Sequence, residues 1–372
     1  EAGYTTACLS RNSYVSSATG LDRGFDRMQW LASDTIHEAG ARTLLGYLRN
    51  IRRHSAGFTL DTAKHATPYL MNATAKRWLR DFESGEDPFF FYLHYNEPHR
   101  PYYPPLGYLD KYTNELPMSG REAAERAMEI HRDLKEIVAN GCNLTDDEWA
   151  ALRAMYDAEI AYTDEMVGRL IEYVDSLDLG NTVVVVTADH GELFGEYGLL
   201  SHKYVLIDAV TRVPLVVRGL GEDLAVDDDN LVQHSDVMET LLTIAGEPAE
   251  ETIGIDMREQ RRDIAVSQRG PVEFDDLYEY NPEFDASRFH LSSLTAVRSG
   301  THRYQQSDDG SELFELADEQ TDIQDDEPEV TADLSAKLDS WLNEHGQPID
   351  RGIDGEFSGD VERQLRDLGY VD

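Results

Sequence analysis

Two cysteines in 372 residues, Cys8 and Cys142, exclude a disulfide framework and a cysteine-ligated zinc cluster. Lysine is almost absent as well: Lys64, Lys76, Lys111, Lys135, Lys203 and Lys337 are all of them, and the other basic residues are arginines. No apolar run approaches the roughly 18 residues of a membrane helix, so no membrane segment is expected. There is no internal repeat. The acidic turn Asp227-Asp228-Asp229-Asn230 lacks the spacing and the distal Glu of an EF-hand and reads as a solvated loop.

What the chain has in excess is carboxylate. Asp plus Glu number 72 against 33 Lys plus Arg, a formal net charge of -39. The acids are spread along the chain, not gathered in a tail. Nucleic acid is therefore not an expected partner, because binding it needs a basic face. A dispersed acidic surface with few lysines resembles that of proteins from halophiles, the haloarchaea among them. In molar salt the Debye length falls to about 3 Å, so self-repulsion is screened.

The segment Asn181–Gly219, NTVVVVTADHGELFGEYGLLSHKYVLIDAVTRVPLVVRG, organises the rest. Val183 to Val186 is a short β-branched run, expected to be a strand buried on both faces as in a parallel sheet. Asp189-His190-Gly191-Glu192 follow at its carboxyl end, where open α/β sheets bind ligands. Asp and neutral His are both competent metal ligands. A glycine-bearing loop leads to His202-Lys203 and a second strand, Val213 to Val217.

Elsewhere, residues 3–9 and 89–95 read as strands, the second delivering His94, Asn96, Glu97 and His99 to its carboxyl end. Prolines 98, 101, 104 and 105 stiffen the loop after it. Residues 35–53, 68–83, 120–139 and 145–177 read as helices, the last opening on a Thr145–Glu148 capping box. Its apolar stripe is expected to include Leu152, Tyr156, Ile160, Tyr162 and Met166. A helix is expected at 235–245. From about residue 262, short strands at 263–267, 292–298, 302–306 and 312–314 precede a helix at 331–345, with a further short helix at 360–368.

TADHGE, SHK and RVPLVVR, together with Pro88–Pro105 (PFFFYLHYNEPHRPYYPP) and AVRSGTHRYQ…ELFELADEQ, resemble the sulfatase family of the alkaline phosphatase superfamily. The resemblance runs from Gly3 to about Ser340. It implies an α/β, alkaline-phosphatase-like sandwich with a mainly parallel sheet and a small C-terminal antiparallel α+β subdomain. The catalytic domain would span 1–260, the C-terminal subdomain and tail 261–372. The implied activity is metal-dependent hydrolysis of a small-molecule or carbohydrate sulfate ester. Asp189 and His190 match the family's metal ligands; Ca2+ is the expected ion, with Mn2+ and Mg2+ as alternatives. Lys203 matches the sulfate-binding lysine, and His99 the histidine at the sulfate and leaving group. His202 is a further catalytic candidate. Many sulfatases have Asn where His190 stands. The Asp-His pair is similar to choline-sulfatase-like and phosphonate-monoesterase-like branches, so a phosphonate monoester or phosphodiester hydrolase stays open, as does an inactive binding homologue.

The family's nucleophile is a cysteine converted to formylglycine in a C-x-P/A-S-R motif, which this chain does not contain. Cys8-Leu9-Ser10-Arg11 has the wrong spacing. Two further metal aspartates of the family are also missing, so the chain is expected to lack about the first quarter of a sulfatase and to be inactive alone. The parent enzyme would need a formylglycine-generating enzyme as partner. Its location stays open, with the cytoplasm favoured and a signal peptide the alternative.

Overall fold

The computed structural model describes residues 2–12, 14–15, 19–31, 39–57, 64–221, 224–249 and 252–346. They fall into two units, Gly3–Ile137 with Asn143–Gly180, and Val138–Cys142 with the described residues from Asn181 onward.

In the first unit, β1 (Thr5–Ser10) is the middle strand of a parallel sheet, between β2 (Arg27–Trp30) and β3 (Phe89–His94). The register sets Ser10 opposite both Trp30 and His94, so the three strands finish at one carboxyl edge. The helix expected over 35–53 is α1 (Ala41–Arg49) and α2 (Ile51–His54), broken at Asn50, whose φ/ψ of -112°/22° leave the helical region. Residues 35–38 of that expectation lie outside the described residues. The helix α3 (Pro68–Glu83) stands where its spacing placed it, with Pro68 at the first position, where a missing N–H costs nothing. Ala7 and Leu9 of β1 meet Leu70, Met71 and Trp78 of α3 in the core. The 120–139 helix divides into α4 (Gly120–Arg132) and α5 (Leu134–Ala139) at Asp133, a residue type that competes for backbone hydrogen bonds and favours caps.

The long helix α6 (Asp146–Asp175) carries the expected capping box, Thr145 Oγ1 accepting from the Glu148 amide at 3.3 Å. Leu152, Tyr162 and Met166 of the expected stripe are buried and Tyr156 is half-buried, but Ile160 is 41% exposed, while Glu159 is 5% exposed and faces the interior.

In the second unit, β4 (Val184–Thr187) departs from expectation. Two tiny strands, β5 (Leu193–Phe194) and β6 (Leu200–Ser201), and a turn of helix, α7 (Asp208–Thr211), lead back to β7 (Leu215–Arg218), which pairs with β4 antiparallel. The valines of β4 are half-buried, because β7 is their only ladder partner among the described residues. The helix α8 (His234–Ile244) follows, with buried Asp236 held by Arg262, whose Nε donates at 2.7 Å. The strands β8 (Ala265–Arg269), β9 (Leu294–Arg298), β10 (His302–Ser307) and β11 (Gly310–Glu315) form an antiparallel sheet in the order β11-β10-β9-β8, with the short α9 (Asp275–Tyr278) between the first two in sequence. Val266, Val297, Tyr304 and Leu313 of this sheet pack on Leu334 and Leu338 of α10 (Pro328–His345). The antiparallel C-terminal sheet and its helix are thus as expected, and the helix expected near 360–368 lies outside the described residues. No described helix is long and apolar enough to cross a membrane.

Candidate active site

The site is built from the turn after β4. Asp189 Oδ1 accepts from the His190 amide at 3.1 Å, and its side chain is 54% exposed. His190 Nδ1 lies 2.8 Å from the Gly191 carbonyl oxygen. A carbonyl only accepts, so Nδ1 carries the proton and Nε2 holds the lone pair. That lone pair is 3.9 Å from Asp189 Oδ1. Fixing one ring nitrogen on a backbone carbonyl is how proteins aim the other at a metal. A carboxylate oxygen and an imidazole lone pair at this separation fit two ligands of one divalent ion with bonds of about 2.3–2.6 Å.

Gly191 is required by space. Its amide donates to Val210 O at 2.7 Å, and a Cβ would collide with the Ala209 carbonyl oxygen. The segment it leans on, α7, is itself tied down by Arg298, whose Nε and Nη2 donate to the two Asp208 carboxylate oxygens at 2.8 and 2.9 Å.

The hairpin β5–β6 explains His202. Its register pairs Leu193 with Ser201, so the residues just outside the ladder, Glu192 and His202, come opposite each other. His202 Nδ1 is 3.5 Å from Glu192 Oε1, both side chains being under 10% exposed at 9% and 5%. The His202 ring stacks on that of His190, centroids 4.0 Å apart. Glu192 was not among the residues singled out from the sequence. The available signal was its position one residue before a hairpin whose return strand ends one residue before His202.

Four sequence candidates, Asp189, His190, His202 and Lys203, thus stand in one unit, His190 in reach of both Asp189 and His202, and Lys203 half-buried directly after His202. His99 belongs to the other unit. There its amide donates to Asn96 O at 2.9 Å and its Nδ1 donates to Arg100 O at 2.7 Å, leaving Nε2 as the acceptor nitrogen. Nearby in the chain, Glu97 accepts from the Thr67 amide at 2.7 Å and the Thr67 hydroxyl at 3.0 Å. Burial holds the Glu97 carboxyl above its ordinary range, and burial followed by the charge of Glu97 does the same to Glu159. His94 is half-buried with Tyr92 Oη 3.1 Å from its Nδ1.

Neither cysteine is poised for nucleophilic attack. Burial pushes the thiol of Cys8 up to about 11 and that of Cys142 up to about 12, so both are protonated at neutral pH.

The profile of the sulfatase family matches residues 1–247. The chain belongs to the sulfatase family. This sulfatase-family chain is 30% identical over 165 residues to an uncharacterized sulfatase of Escherichia coli (strain K12), YidJ, covering 43% of this chain and 32% of that one. It is 29% identical over 300 residues to arylsulfatase K of Canis lupus familiaris, covering 72% of this chain and 54% of the relative. The chain therefore spans about half the length of arylsulfatase K and about a third of YidJ. Among solved structures it is similar to the phosphonate monoester hydrolase of Agrobacterium radiobacter, with a TM-score of 0.64, 20% identity, and coverage of 92% of this chain and 79% of that one. That likeness establishes the shared fold.

Proposed function

We propose that the protein is a metal-dependent sulfuric ester hydrolase, in which Asp189 and His190 hold a divalent cation that counters charge on the sulfuryl oxygens. The observation that carries this reading is the fixed His190 tautomer, Nδ1–H on the Gly191 carbonyl with Nε2 turned to the Asp189 carboxylate. Ca2+ is the ion that the family resemblance suggests, and the 3.9 Å separation suits its bond lengths; the imidazole departs from an all-oxygen set, so Mn2+, one of the alternatives, is the probe ion to compare with it.

The other candidates have distinct tasks in this reading. Lys203 binds a sulfuryl oxygen through its ammonium. The family resemblance gives His99 the task of protonating the departing alcohol oxygen; with Nδ1–H held by Arg100 O, this takes the imidazolium form, in which Nε2 carries a proton as well. His202 donates to the ester, and the Glu192 carboxylate beside it stabilises its imidazolium. The nucleophile expected for the family, formylglycine, has no counterpart among these 372 residues.

The Asp189-His190 pair, where many sulfatases have Asp-Asn, also favours a second reading, a phosphonate monoester hydrolase. Turnover of 4-nitrophenyl sulfate and of a 4-nitrophenyl phosphonate monoester should be compared in the chain joined to a segment that carries the family's C-x-P/A-S-R motif, co-expressed with a formylglycine-generating enzyme. The Asp189→Ala variant serves as control. Metal-dependent sulfate turnover lost in Asp189→Ala supports the proposal. Preference for the phosphonate favours the second reading. Metal binding with no turnover of either points to a binding homologue, and turnover unchanged in Asp189→Ala overturns the metal site.

A further inference from the structure

A second group of potential ligands lies in the C-terminal sheet, away in sequence from everything assigned above. His302 opens β10 and Glu315 closes β11, and the antiparallel register makes them a direct cross-strand pair. Glu327 is the residue before α10, with Pro328 at the first helical position. Its carboxylate makes no cap to the helix amides. One ligand atom from each of the three residues lies within 4.8 Å of the others, the one such group of three among the described residues.

Several features distinguish this group from an ordinary patch of surface acids. His302 Nε2 is buried and has no hydrogen-bond partner. It sits 3.2 Å from Glu327 Oε2 without the alignment of a hydrogen bond. Two tetrahedral zinc ligands with bonds of 2.0–2.1 Å are about 3.3 Å apart, which is the separation seen. The other ring nitrogen, Nδ1, is 2.8 Å from the Thr301 hydroxyl, a contact that orients the ring. Neither carboxylate pairs with a Lys or Arg among the described residues, so two negative charges face one imidazole with no cation between them. Glu315 is exposed and the Glu327 side chain is 37% exposed, which leaves an entry path.

We propose that His302, Glu315 and Glu327 bind a divalent transition-metal ion, Zn2+ being the best match to one imidazole and two carboxylates, with water completing the coordination. The ion would clip the β10–β11 hairpin to the start of α10. Its role is structural, because it joins the ends of two strands to the start of a helix.

The test separates this ion from the one proposed at Asp189. Metal-stripped Asp189→Ala/His190→Ala protein is titrated with Co2+, followed by its visible absorption, and then with Zn2+ by calorimetry. One Co2+ per chain, displaced by Zn2+, is expected. Glu315→Gln and Glu327→Gln should each weaken it at least about tenfold, and His302→Gln should abolish it. Far-UV circular dichroism checks each variant. Glu315→Gln, at an exposed position, gives the reading if His302→Gln does not fold. Absence of a Co2+ site in the double variant, or the same affinity after Glu315→Gln and Glu327→Gln, would overturn the proposal.

Discussion

The rings of His190 and His202 stack at 4.0 Å between centroids with 29° between their planes, and Glu192 stands 3.5 Å from the far ring. Two segments separated by a hairpin are thereby locked into one imidazole pair. The lock starts at Gly191, whose carbonyl receives the His190 Nδ1 proton and whose amide binds Val210 O at 2.7 Å.

Gly191→Ala tests that lock. The added methyl meets the Ala209 backbone, which cannot rotate away as a side chain would. Overpacking of this kind costs about 1–3 kcal/mol. The turn must shift, and the His190 ring with it. The expected outcome is a modest fall in thermal midpoint with a fall in Mn2+ affinity of about tenfold or more, read by calorimetry. Unchanged affinity would show that the Gly191 carbonyl does not aim the ligand.

His131 sets an acid sensitivity. Both of its ring nitrogens are buried without hydrogen-bond partners, and Tyr102 packs edge-on at 4.4 Å. Burial first, then the charge of Arg100, pushes its pKa down to about 3. Above about pH 6.5 the ring is neutral in both folded and unfolded chains and contributes nothing. Between about 6.5 and 3 the unfolded chain takes a proton that the folded one refuses, so stability falls by about 1.4 kcal/mol per pH unit. His131→Leu should remove that slope. Denaturant unfolding at pH 7.5, 6 and 5 reads it, and a difference between variant and parent that stays constant across the three would refute the assignment.

Glu159 carries the opposite sign. Its side chain is 5% exposed, and Oε2 has no hydrogen-bond partner. Its raised pKa means the folded chain holds a proton that the unfolded one releases, so it costs stability as pH rises above the ordinary Glu value. Glu159→Gln removes the titration at nearly constant volume. A gain that grows with pH is expected, because the parent must take up on folding a proton that its unfolded chain has released. It should be larger at pH 8 than at pH 4.5. Destabilisation at both values would mean that the carboxylate is needed where it stands.

The elements of this fold were legible wherever periodicity or a cap is local. Pro68–Glu83 and the Thr145 box are both visible in a few residues, and both stand in the structure. Strand partners were not. Four valines announce a strand, but nothing within them says that Leu215–Arg218 will return antiparallel. The α6 stripe held at Leu152, Tyr162 and Met166 and failed at one position, where Glu159, a charged residue, fills a core place and Ile160 does not. The motif residues Asp189 and His190 could be read from a six-residue string. The pairing of Glu192 with His202 and the His302 cluster could not, because each depends on a hairpin register that two-residue strands or distant carboxylates do not reveal in sequence.

The last expectation concerns salt. A net charge of -39 on 372 residues makes the folded chain repel itself, and unfolding relieves that repulsion by moving the charges apart. Raising KCl from 0.1 M to 1 M shortens the Debye length from about 10 Å to about 3 Å, so distant carboxylates cease to interact. Salt also weakens attractive pairs such as Arg27–Asp81, with side chains 45% and 65% exposed. Exposed pairs of this kind are worth about 0–1 kcal/mol each, and there are far fewer cations than acids to make them. Repulsion therefore dominates. The thermal midpoint is expected to climb by about 5 °C or more over that range, with NaCl and KCl giving similar curves if screening is the cause. A midpoint that stays flat or falls would mean that the carboxylates are already far enough apart, or well enough paired, for dilute buffer.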